Sequence, residues 1–81
     1  MKIDDVEYSF VLASDGQRNG LGFEVYRQDP VRELVLEVFR DDGARSYAVS
    51  QFVPGLPLLL VEYVANVARD ELGDFAADPA A

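Results

Sequence analysis

The most constraining stretch of this chain is PGLPLLLVEYVANVARDELGDF, residues 54–75. Pro57 suits the first turn of a helix, where its missing N–H costs nothing, and Gly73 suits the stop. Between them, at about 100° per residue, Glu62, Asn66, Arg69 and Asp70 gather into a polar arc roughly 100° wide. Leu60, Val61, Tyr63, Val64, Ala65, Val67, Ala68 and Leu72 spread over most of the remainder, with Glu71 intruding. A helix resting on one sheet needs an apolar stripe of about 100° or somewhat more, and this one has about twice that. One flank is therefore expected to pack on the rest of the chain and the other to meet a second chain, most simply a copy of itself. The alternative is a strongly twisted sheet that curls around the helix and covers both flanks. Leu59 falls on the polar arc, so a glutamate is expected to be tolerated there and not at Val64.

What precedes the helix alternates with the period of strands. In VEYSFVLA (residues 6–13), Val6, Tyr8, Phe10 and Leu12 share one face. Leu21, Phe23 and Val25 do so in LGFEVYRQ, with Glu24 and Tyr26 opposite. In RELVLEVFR, Leu34, Leu36 and Val38 share a face, with Glu33, Val35, Glu37 and Phe39 on the other. ARSYAVSQFV supplies Tyr47 and Val49. SDGQRNG, Asp29-Pro30 and DDG punctuate these runs with residues that turns favour. The connections are short enough for antiparallel neighbours, so the expected fold is α+β: a four-stranded antiparallel β-meander followed by one C-terminal α-helix packed on the sheet. Pairing Leu12 near Leu21, Val25 near Leu34 and Val38 near Tyr47 points every apolar set the same way. Residues 1–75 read as a single domain and 76–81 as a disordered C-terminal tail, with Phe75 folding back onto apolar surface.

An 81-residue chain with no cysteine has neither disulfides nor thiolate metal sites, and its one small core is near the lower limit of sufficiency. Association is one remaining route to stability. The N-terminal MKIDDVEYSF does not read as a secretory signal and no apolar run is long enough to span a bilayer, so the expectation is a cytoplasmic protein without membrane contact. The net charge of −8 opposes attraction to phosphate backbones and anionic lipids, and suits a basic protein partner.

Histidine and threonine are also absent, and the serines have only Lys2 as a conceivable activating base. No catalytic, cofactor-binding or metal-ligating residue is assigned. Carboxylates are the remaining chemistry: Glu24 and Glu37 are placed diagonally on the second sheet face, where two close carboxylates can share a proton or hold a hard cation. The plainer reading is a solvated face dressed with charge. GLG (residues 20–22) lacks the third glycine and the strand-to-helix setting of a dinucleotide fingerprint. DGQRNG is read as a hairpin loop, because Gln17 and Tyr26 stand where a calcium loop needs acids.

The order of four antiparallel strands then a helix resembles, in topology, the repeat of the PUR family, which binds single-stranded nucleic acid as paired repeats. The resemblance implies an aromatic platform, for which Tyr26, Phe39 and Phe52 are available. Glu7, Glu24, Glu33 and Glu37 occupy the face where such a platform needs lysines and arginines. The expected function is a small acidic non-catalytic module, homodimeric and open to a larger protein partner. Its candidate contact residues are Tyr63, Val64, Val67 and Ala68 on the helix, with Tyr26, Val35, Phe39 and Phe52 on the sheet. The alternatives are single-stranded nucleic-acid binding and neutralisation of a basic partner of the immunity or antitoxin type.

Overall fold

The computed structural model describes residues 1–28 and 30–76. Among these residues five strands, β1 (Lys2–Ile3), β2 (Val6–Asp15), β3 (Gly20–Arg27), β4 (Glu33–Asp41) and β5 (Ser46–Gln51), precede one helix, α1 (Leu58–Leu72). The strands form one antiparallel sheet in chain order, β1-β2-β3-β4-β5. The meander and the C-terminal helix are as expected, and the sheet has one more strand than the sequence suggested. That strand is too short to show alternation. It returns into β2 through Asp4 and Asp5, which both take positive φ (51° and 64°), the backbone of a tight two-residue hairpin.

The hairpins at the far end of the sheet are built alike. Asp15 pairs with Gly20 and Asp41 with Ser46, leaving residues 16–19 and 42–45 as loops. In each, the aspartate before the loop accepts backbone amides, and the last loop residue, Asn19 or Arg45, takes a positive φ of 54°. These longer loops displace the expected pairings by two residues: Leu12 faces Phe23 and Val38 faces Val49. Val25 likewise faces Leu36 rather than Leu34. A shift of two keeps every side chain on its face, so the apolar pattern survives.

The face assignment changes at one place. Val25 faces Leu36 but Tyr26 faces Leu34, so Val35 is an inserted residue, a β-bulge. Val35 is fully buried in the core instead of lying on the second face, and Leu34 takes the place opposite Tyr26. Period-two reading cannot register an inserted residue.

The core lies between α1 and one face of the sheet. Leu60, Val64, Ala68 and Leu72 pack with Phe23, Val25, Leu36, Val38, Tyr8 and Ile3. Steps of four residues drift about 40° each around a helix, so this stripe sweeps about 120° along α1. That drift accounts for much of the unusual breadth. Phe10 extends the core, stacking on Phe23 at 5.6 Å and meeting Tyr63 at 5.4 Å. The helix ends at Gly73 (φ 73°), whose N–H donates to the Arg69 carbonyl at 2.9 Å. Arg40 of β4 donates to the Leu72 carbonyl and the Tyr47 hydroxyl of β5 to that of Gly73 at 2.7 Å, fastening the helix end to the sheet. Phe75 returns against the Tyr47 ring at 4.9 Å, as expected, while residues 77–81 of the anticipated tail lie outside the described residues.

Candidate interaction surface

The sheet face away from α1 carries an ion-pair network assembled by the β2–β3 loop. The Asp15 carboxylate accepts the amides of Gln17 and Arg18 at 3.1 Å each, and the resulting turn sends the Arg18 side chain back over β4. There its two terminal nitrogens donate to the two oxygens of Glu37 at 2.9 Å each, its Nε donates to Asp15, and its guanidinium lies 3.9 Å above the Phe39 ring. Glu37 is only 3% exposed. GLG serves this arrangement: a Cβ on Gly22 would lie 2.7 Å from Glu37 Oε2, and one on Gly20 would lie 2.5 Å from the Phe39 ring.

Glu24 sits directly across the strands from Glu37 rather than diagonally, and accepts the Tyr26 hydroxyl at 2.9 Å. Arg32 covers the Tyr26 ring at 3.7 Å. The hydrogen bond from Arg18 holds the Asp15 carboxyl below its ordinary range, and Glu37 in turn raises Arg18. Donation to Glu24 raises the Tyr26 phenol. Glu24 and Glu37 thus each have a donor already, Tyr26 for one and Arg18 for the other. Among the described residues no three His, Cys, Asp or Glu side chains converge as metal ligands would.

The residues singled out for contact separate into three groups. Val35, Val64 and Ala68 are buried in the chain's own core and present nothing to a partner. Phe39 is buried beneath Arg18, and Tyr26 is half-buried beneath Arg32, so two rings of the anticipated platform are already covered. Tyr63 and Phe52 are exposed and Val67 is partly so. Sequence reasoning did not name the most exposed apolar side chains as contacts: Leu59 is 66% exposed and Val49 69%, with Leu58 and Val31 similarly bare. The sheet does not curl far enough to cover Leu58 or Leu59. A cleft of about 430 Å³ opens between α1 and the N-terminal strand, lined by Met1, Ile3, Leu59 and Tyr63 with Lys2 and Glu62 among its polar groups.

Leu59 was legible as exposed from its place on the polar arc, and the surprise is that a leucine occupies it. The positions of Arg18 and Arg32 over aromatic rings had no signal in the strand pattern, because both project from loops. Among the described residues no helix is long and apolar enough to cross a membrane. Neither a family model, nor a curated protein, nor a solved structure matches this chain.

Proposed function

We propose that this chain is a non-catalytic, self-associating protein-interaction module of the cytoplasm that works as a homodimer and can present its acidic surface to a larger partner. One observation carries the reading: Val49, Phe52, Leu58 and Leu59 are all more than half exposed in a chain with no disulfide. Covering a Val, Leu or Phe side chain is worth about 1.5–3 kcal/mol, so four left in water forgo a sum comparable with a small domain's whole stability. Tyr63, Val67 and Phe52 are the contact residues from the sequence that remain available; Val49 joins Phe52 at the sheet edge as a self-association surface, and Leu58 and Leu59 lie with Tyr63 and Val67 on the helix, open to a larger partner.

A second reading draws on the arginines stacked over Phe39 and Tyr26, which interleave cation and aromatic as single-strand binders do. Arg18 is bound to Glu37 and Asp15, however, and the surrounding charge is negative. Self-association is tested at equilibrium by mixing copies labelled with donor and acceptor dyes at about several hundred micromolar total chain. Energy transfer between the two labels is expected. Its absence, together with salt-sensitive binding of a labelled single strand, would replace this reading with the second.

A further inference from the structure

We propose that two copies of this chain join edge to edge through β5, in antiparallel register about a two-fold axis at Val49. The inference deepens the self-association reading and rests on it. β5 is the last strand of the sheet, and among the described residues nothing pairs with its outer side. The Phe52 amide donates to the Val35 carbonyl at 2.9 Å, so even-numbered positions turn their backbone groups toward β4. By alternation, Tyr47, Val49 and Gln51 turn theirs outward. The same logic is satisfied at the opposite edge, where the outward-turned Tyr8 exchanges both backbone bonds with Met1.

Natural edge strands are guarded by charges, proline or bulges. β5, SYAVSQ, has none of these, although the chain around it carries a net charge of −8. An identical strand can therefore approach without placing like charges opposite one another. Centring the axis on Val49 sets Val49 against its copy and Tyr47 against Gln51 of the copy, so all three outward positions find partners at once. The same register sets Phe52 opposite Ser46 of the copy, beside Ala48. It thereby covers the two most exposed large side chains of this edge, Val49 (69%) and Phe52 (53%).

The other free edge, β2, is weaker as a partner. β1 and Met1 already occupy its first half, so an incoming strand could extend only from Phe10 onward. Two different free edges joined head to tail would also build an open chain of molecules rather than a closed pair. A six-residue edge is small beside a standard interface of about 1,600 Å², so the dimer is expected to be weak and dependent on concentration.

The absence of cysteine makes the test direct. In the proposed register the two Val49 Cα atoms stand about 5.5 Å apart, within disulfide reach. Full-length Val49→Cys under mild oxidation is expected to form a covalent dimer at least about tenfold faster than Leu12→Cys, which marks the β2 edge, or Leu59→Cys, which marks the helix. Val49→Pro removes an outward N–H that the single chain does not use, so circular dichroism should be unchanged while dimer affinity falls at least about tenfold. Fast cross-linking at Leu12→Cys or Leu59→Cys, or a dimer undisturbed by Val49→Pro, would overturn the β5 pairing and leave self-association standing. A wild-type chain that stays monomeric at millimolar concentration would remove both.

Discussion

Neighbouring leucines at the start of α1 give the sharpest test of how the helix is seated. Leu60 is 0% exposed and Leu59 is 66% exposed. Leu60→Ala removes three carbons from a closed core. The lost transfer energy and the residual cavity together cost about 3–4 kcal/mol. At Leu59 about a third of the side chain is covered, so the same truncation forfeits about 0.7 kcal/mol, partly offset by alanine's better helix propensity. For a domain of this size each kcal/mol moves the melting temperature by about 4–8 °C, so Leu60→Ala should melt roughly 12–30 °C earlier and Leu59→Ala only a few degrees. Urea unfolding followed by far-ultraviolet circular dichroism, at concentrations low enough to keep the chain monomeric, reads both changes as midpoint shifts with an unaltered slope. Comparable losses at the two positions, or a larger one at Leu59, would mean that α1 does not turn Leu60 inward and Leu59 outward.

Other consequences concern the second face and the loops. Gly20→Ala places a Cβ 2.0 Å from the Arg40 carbonyl, whereas Gly16→Ala meets nothing within 4 Å. The first should lose at least about 2 kcal/mol and the second change stability by less than about 0.5, measured by the same denaturation. Arg18→Ala strands the buried Glu37 carboxylate and should cost about 1–2 kcal/mol, the exposed arginine discounting the pair; adding Glu37→Gln should recover more than half of that loss in a double-mutant cycle. Asp15 and Asp42 have lowered folded pKa values, the first through the Arg18 side chain and the second through the Ala76 amide. A lowered folded value means stability that is present above the unfolded pKa of about 3.9 and lost as pH falls through the folded one. Unfolding curves should therefore hold steady down to about pH 5 and weaken below about pH 4, with Asp15→Asn showing a shallower acid slope.

The parts of the fold that repeat were readable in the residues. Leu60, Val64, Ala68 and Leu72 return every fourth place, and Tyr8, Phe23, Val25, Leu36 and Val38 alternate with period two, so helix, strands and core were all visible as periodicity. What was lost lies where periodicity fails. β1 has two residues and no period. The bulge inserts Val35 into a strand whose spelling is otherwise regular, and sends it from the outer face to the core. Hairpin loops two residues longer than the shortest kind displaced the register without disturbing the faces.

The candidate surface was less legible for a related reason. Exposure of an apolar residue is a statement about its neighbours, and the sequence gives no weight to a valine on an edge over one in the middle of a sheet. Val35, Val49 and Val64 look alike as letters, yet two are buried and one is bare. Arg18 lies far from Glu37 and Phe39 in sequence, and only the turn held by Asp15 brings it over both. The glycines of GLG were informative, but as space for those side chains rather than as a phosphate cradle.

The solution mass of the full-length chain, measured by light scattering over about a hundredfold dilution into the micromolar range, tests self-association most directly. Twice the chain mass of 9.0 kDa is expected at the concentrated end, falling toward the single mass on dilution. A mass of one chain at every concentration would contradict self-association.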